Sequence, residues 1–331
     1  MYTICLGQFG NDQSITKTGT TVAQFLKIGM DARSTSMGGA VAGQNGNLSG
    51  VYWNPASIAS FNGIGVQFGS YDWLVAMKYQ FAIIGIDLGS KGVLGLSIVN
   101  LSSPDDLVRT VSEPQGTGEK FSTNDLSASL TYSKMLTDRF SLGGSFKYIQ
   151  QNIWHSTAHT VAIDIGTLFQ TPFYGTRLGA SISNYGGKMK MDGRDQKISI
   201  DPDLDNQGNV EFVNAIYETE HFPLPLFFRV GVSGELIKKQ NLKLSYGIDA
   251  LHPNDNTEHL NLGLELNYRE ILFLRGGIPS FYKMDSIEGP TFGAGLNYHM
   301  TRTATLLKID YSFSSYGPLG DVERLSIGFN F

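Results

Sequence analysis

The densest set of ligand-type side chains in the chain is the run from Asp201 to Glu211, DPDLDNQGNVE. Alternate carboxylates at Asp201, Asp203 and Asp205 can converge on one hard cation when a loop folds back, as at the start of a calcium loop. The match then fails, because Asn206 stands where such a loop needs its glycine and Phe212 where it needs its last bidentate carboxylate. A solvated loop is the better reading, with calcium as its competitor. His155 and His159, four apart on an extended chain, share a face but lie about 13 Å from each other, too far to share a metal. Gly143-Gly144-Ser145 sits within an alternating strand pattern, without the strand-to-helix turn of a nucleophile elbow. Asp105-Asp106 lies in a polar stretch where both carboxylates are solvated. A lone Cys5 excludes an internal disulfide and a multi-cysteine metal site. No enzyme and no cofactor are expected.

The elements that carry these residues are strands. Leu325, Ile327, Phe329 and Phe331 alternate with Ser326, Gly328 and Asn330; Leu260, Leu262, Leu264, Leu266 and Tyr268 alternate with Asn261, Gly263, Glu265 and Asn267. The same period predicts fourteen strands, at 64–70, 78–88, 92–101, 125–136, 140–152, 157–170, 176–186, 225–235, 241–252, 258–268, 271–280, 289–299, 305–315 and 324–331. A soluble sandwich alternates too, so further signals decide. The strands reach membrane-spanning length, and aromatics such as Tyr79, Phe81, Tyr132, Phe140, Tyr268 and Tyr298 stand near their ends as interfacial girdles would. Even-numbered connections are all short, whereas the long ones, 102–124 and 187–224, are the third and seventh. Short turns on one side and long loops on the other are the habit of an outer-membrane barrel. No apolar run approaches the length of a spanning helix, and a net charge of −5 without a basic cluster argues against nucleic acid.

The stretch from Gln24 to Ser60 does not alternate. It is rich in glycine and small residues and contains Asn54-Pro55, a turn starter. A fourteen-stranded barrel has a lumen to fill, so residues 1–62 are expected to form an N-terminal segment and luminal plug and 63–331 the all-β transmembrane barrel. The wall would offer Lys147, Asp164, Arg229, Asp249, Glu265, Arg275 and Asp310, mixed in sign. Arg33 is expected to donate a bidentate pair of bonds to an inward carboxylate, Asp310 or Glu265. The first ten residues, MYTICLGQFG, read either as the remnant of a signal peptide or as a mature start.

Phe25-Leu26-Lys27-Ile28-Gly29, Ala32-Arg33, Met37-Gly38-Gly39-Ala40 and Tyr52-Trp53-Asn54-Pro55-Ala56 resemble, in order and spacing, the N-terminal signature of the PorV/PorQ family of outer-membrane proteins. Ser57 departs from the glycine that commonly follows Asn-Pro-Ala, and the chain is shorter than the full secretion-system carrier. The resemblance implies a FadL-like barrel in the bacterial outer membrane, with Phe25, Leu26, Gly29, Arg33, Met37, Gly38, Gly39, Asn54, Pro55 and Ala56 as its plug or hatch motif. It also implies protein partners in type IX secretion: a translocon barrel and the C-terminal domains of cargo, accepted at the outer loops for surface attachment. The alternative it implies is uptake of long-chain fatty acids or other hydrophobic small molecules. Phe222, Leu224, Leu226 and Phe227 are a candidate outer-loop binding surface for either, and read more simply as a girdle at the start of the eighth strand.

Overall fold

Alternation that puts apolar residues on one face and small or polar ones on the other leaves open which face is outside. The computed structural model describes residues 17–173, 175–202, 212–283, 286–300 and 305–331. Asp203, Asp205, Glu211 and the Cys5-containing start of the chain lie outside them. Fourteen long antiparallel strands form one closed sheet. They are β1 (Ile64–Asp72), β2 (Lys78–Asp87), β3 (Val93–Ser102), β4 (Thr123–Thr137), β5 (Phe140–Ile153), β6 (Ser156–Gln170) and β7 (Arg177–Gly186). The second half comprises β8 (Phe227–Lys239), β9 (Leu242–Pro253), β10 (His259–Tyr268), β11 (Leu272–Phe281), β12 (Thr291–Met300), β13 (Thr305–Ser315) and β14 (Asp321–Asn330). Each pairs with its sequence neighbour, and β1 closes the ring on β14 through Gly65 opposite Asn330 and Gly69 opposite Ser326. Closure leaves no edge unpaired, which is what a sheet in hydrocarbon requires.

The face turned outward is the apolar one. Ile84, Leu96, Leu130, Phe146, Ile163 and Leu264 are all exposed, while the intervening Ser129, Ser145, Asp164 and Glu265 are buried. In water such a surface would aggregate; in a bilayer it is the solvated surface. Two of the aromatics expected at the girdle turn the other way: Tyr79 and Phe81 are 0% and 4% exposed and face inward with Ile83. The inner wall is therefore apolar along β1–β3 and charged across β8–β13. The division follows what lies against it, since Phe25, Ile28, Leu48 and Ile58 share one buried cluster with Tyr79, Phe81 and Ile83.

The third and seventh connections carry small hairpins of their own, Asp106–Leu107 with Lys120–Phe121 and Lys197–Ile200 with Val213–Ile216. By the length rule this end is the outer one and the end with the short turns is periplasmic.

Candidate functional site: the N-terminal segment and the outer cavity

Residues 21–61 add no strand to the sheet and run round the inner wall. Short polar residues set their local turns. Asp31 caps the one-and-a-half-turn helix Ala32–Ser36 by accepting from the Ser34 backbone N–H at 3.0 Å. Asn54 caps the next turn by accepting from Ala56 N–H at 3.0 Å, with Pro55 in the first helical position. Its amide nitrogen also donates to Ala42 O at 2.8 Å and to Thr167 O of β6 at 3.0 Å, so one side chain ties two parts of the segment to the wall. Gly38 and Gly39 both have positive φ, 63° and 72°, a pair of left-handed residues that lets the backbone lie flat against β10 and β11.

The segment meets the strands in reverse order. Ala32 N–H donates to Ser326 Oγ of β14, and Thr35 lies 3.1 Å from Ser312 Oγ of β13. Val41 and Ala42 N–H groups both donate to one Asp249 oxygen of β9 at 2.9 Å. Ser181 of β7 donates to Trp53 O at 3.0 Å, Pro55 sits on Gly143 of β5, and Phe61 ends against Gly65 of β1. Small inward residues make room for this approach. A Cβ on Gly277 would stand 2.1 Å from Gly38 N, and one on Gly247 would stand 2.1 Å from Ala40 O.

Charge fixes the segment at both ends of the lumen. Toward the periplasmic end, Arg33 donates from Nε and a terminal nitrogen to both oxygens of Glu265, at 3.0 and 3.1 Å. Of the two inward carboxylates expected as partners, Glu265 takes the fork; Asp310 instead accepts from Arg275, which bonds Glu265 as well, both at 2.7 Å. Burial opposes the charge on Arg33, but Glu265 beside it outweighs that and raises its pKa. Toward the outer end, Asp255 in the β9–β10 loop accepts from Thr21 Oγ1, from Gln24 Nε2 at 3.2 Å and from Lys27 Nζ at 2.5 Å. Burial pushes its pKa up, and the bonds from Lys27, Thr21 and Gln24 bring it below the ordinary aspartate value. Asp255 is 2% exposed and carries no periodic signal in the sequence. Arg229, expected on the inner wall from the alternation, stacks 4.8 Å from the Trp53 ring and donates to Trp53 O at 3.3 Å.

Above the segment, under the outer loops, lies a cavity of about 790 Å³. Phe25, Leu26, Trp73, Phe227 and Leu251 give it apolar wall, and Lys147, Arg229 and His259 give it polar wall. The candidate surface from Phe222 to Phe227 does not stay on the rim. Pro223 O accepts from Val22 N–H at 3.0 Å, Leu224 is 3% exposed in the apolar cluster, and Phe227 lines the cavity. Phe222 is the exposed member, bridged to Met189, while Phe228 faces outward; Leu226 is half-buried. The proline pair folds the patch inward over the start of the segment. Gly29, Met37 and Gly39 pack around the Trp53 indole, whereas Phe25 and Leu26 join the larger apolar cluster and Pro55 and Ala56 lie on Gly143. His155 pairs with Asp195 at 3.0 Å and Arg194 at 2.7 Å in an exposed cluster apart from the lumen, and Asp201 is exposed in the seventh connection.

The fold is shared with solved outer-membrane barrels. The toluene transporter TbuX of Ralstonia pickettii superposes with a TM-score of 0.55 at 12% identity, covering 91% of this chain and 97% of that one. The P. putida toluene transporter TodX gives 0.55 at 12% identity, with 92% and 99% covered, and a FadL homologue from Pseudomonas aeruginosa gives 0.52 at 10%, with 91% and 98% covered. No curated protein sequence matches the chain. The family described as type IX secretion system protein PorV matches residues 11–222, more than half of the chain and the whole of the segment that lines the wall. With an apolar exterior closed on itself in the bacterial outer membrane, the chain belongs to the PorV family of type IX secretion.

Proposed function

We propose that this outer-membrane barrel accepts secreted cargo proteins at its outer loops and passes them toward surface attachment, without chemistry of its own, while residues 1–62 plug the lumen. The family match over residues 11–222 is the observation that carries this reading. The contacts of the N-terminal segment with every strand support it, because a conducting role requires that segment to leave. So does the seventh connection, which exposes Ile200, Val213, Ile216 and Tyr217 and whose hairpin pairs with no third strand among the described residues, leaving edges to which a partner strand can add. Arg194 of that connection approaches Glu119 of the third at 4.0 Å, joining the two long loops into one surface.

The test is extraction of the tagged chain from its native membrane in mild detergent, with mass spectrometry of all co-purifying protein and lipid. The reading expects a large translocon barrel or secreted proteins that share one C-terminal domain. It also expects the double change Ile216→Asp and Tyr217→Asp to lower cargo recovery at least about tenfold, the scale of one lost interface anchor, with the barrel still folded. Unchanged recovery refutes the loop assignment. The cavity favours a second reading, uptake of a hydrophobic small molecule, since its volume lies in the usual range for such sites. Stoichiometric recovery of an apolar molecule with no protein partner would replace the first reading by the second.

A further inference from the structure

Charge is distributed unequally between the two ends of the barrel. The long outer connections carry more carboxylates than cations, Asp105, Asp106, Glu113, Glu119, Glu218 and Glu220 among them, whereas the short turns carry Lys91, Arg139 and Arg269 with Asp138 and Glu270 beside two of them. Two of those turns are neighbours. The β8–β9 turn follows Lys238 and Lys239; the β10–β11 turn begins at Arg269, whose N–H donates to Asn241 O of the first turn at 2.9 Å. All three cations are exposed. Lys238 is 3.2 Å from Glu235, but among the described residues Lys239 and Arg269 have no carboxylate within 4.0 Å. The Arg269 guanidinium lies 5.3 Å from the centre of the Tyr268 ring, so its plane is held at the rim.

Directly beside these cations are exposed apolar side chains: Leu236 and Ile237 at a bulge of β8, and Ile271, Leu272 and Leu274 on the way into β11. Those residues are stable only in hydrocarbon, so the boundary of the bilayer passes at this level and the cations stand at head-group depth. We infer that the paired β8–β9 and β10–β11 turns bind an anionic phospholipid of the periplasmic leaflet, its phosphate between Lys239 and Arg269 and its acyl chains along Leu236, Leu272 and Leu274. The site is independent of the outer-loop reading, being at the opposite end of the barrel. Cations in this position add attraction to anionic lipid that a zwitterionic head group does not share.

The full chain, purified in mild detergent, is titrated with phosphatidylglycerol or phosphatidylcholine and the retained lipid is counted by native mass spectrometry. Preference for phosphatidylglycerol is expected, and the Lys239→Ala, Arg269→Ala double variant is expected to weaken its retention roughly 30-fold at low salt. The double variant Lys120→Ala, Lys188→Ala, at the outer end, retains it fully. Heat-dependent gel mobility of each variant reports whether the barrel is intact, and Lys239→Arg with Arg269→Lys keeps the charge and restores retention if folding is the difficulty. Equal retention of phosphatidylcholine by the parent, unchanged retention by the alanine variant, or inorganic phosphate binding as tightly as the lipid each overturns the inference.

Discussion

Replacement of Asp255 by asparagine tests how the start of the N-terminal segment is held. The Asp255 carboxylate accepts from Thr21, Gln24 and Lys27, three donors within seven residues of one another, and it is almost wholly buried. All three donors bond one Asp255 oxygen while the other is buried without a partner, so the Asp255→Asn amide oxygen can keep the three bonds, but the change removes the charge facing Lys27 and buries an unpartnered amide nitrogen. A charge-assisted bond contributes about 1.5–3 kcal/mol against about 1 for a neutral one, a difference discounted because Lys27 is a quarter exposed, and an unpaired buried amide nitrogen costs about 1 more. A net loss of about 2 kcal/mol raises local opening of residues 21–27 roughly 30-fold. The Val22 N–H bond to Pro223 O, the Ala23 N–H bond to Gln151 and the burial of Phe25 and Leu26 remain, so opening is local. Hydrogen exchange on peptides covering 21–30, with β-strand peptides as internal reference, reads this directly. The pH sign follows from the depressed pKa of Asp255. Its contribution is complete above the unfolded aspartate value near 3.9 and is lost as pH falls through the lower folded value, so protection at 21–27 is flat from neutrality to about pH 5 and falls in more acid solution. Unchanged exchange in the asparagine variant, or exchange rising equally across the strands, would refute the reasoning.

Two further outcomes follow from the wall. Gly277→Val places a side chain where Gly38 N and Met37 C lie 2.1 and 2.2 Å from the Cβ position, both backbone atoms that cannot swing aside. A loss of at least about 1–3 kcal/mol is expected, read as a lower unfolding temperature and as protease access to residues 30–45; equal stability would mean that the segment does not lie on β11. Leu130→Arg, at the middle of β4 on the outward face and 55% exposed in the parent, is expected to cost about 2–4 kcal/mol in lipid vesicles. On a water-facing surface the same change is nearly free, so an unaltered denaturant midpoint in vesicles would remove the lipid from that face.

The strands were readable because a barrel wall imposes period two on every residue it holds, and the even-odd difference in connection length survives whatever the loops contain. Boundaries moved where sequence and geometry compete: β8 begins at Phe227 rather than 225 because Pro225 has no N–H to donate, and β14 begins at Asp321, upstream of the visible alternation. The Arg33 fork on Glu265 was legible because an arginine inside a lumen has few carboxylates to choose from. Asp255 was not: a single aspartate in a short loop looks like any solvated turn residue until the chain about 230 residues earlier is brought beside it. Tyr79 and Phe81 misled for a related reason. Aromatics near strand ends belong to the interface only if the other face of the strand is polar, and β2 is apolar on both faces because Phe25 and Ile28 pack behind it.

The direction in which residues 32–61 circle the wall bears on how the barrel counts its strands. Ala32 is bonded to β14, Met37 lies on β10, Asn54 on β6 and Phe61 on β1, so one circuit of the segment matches one circuit of the sheet. From β5 round to β13 the strands meet successively earlier stretches of the segment, and the last strand meets Ala32 where its other side meets β1. The segment thereby behaves as a gauge of circumference: with one hairpin too few or too many, its two ends would no longer come to rest on either side of the seam.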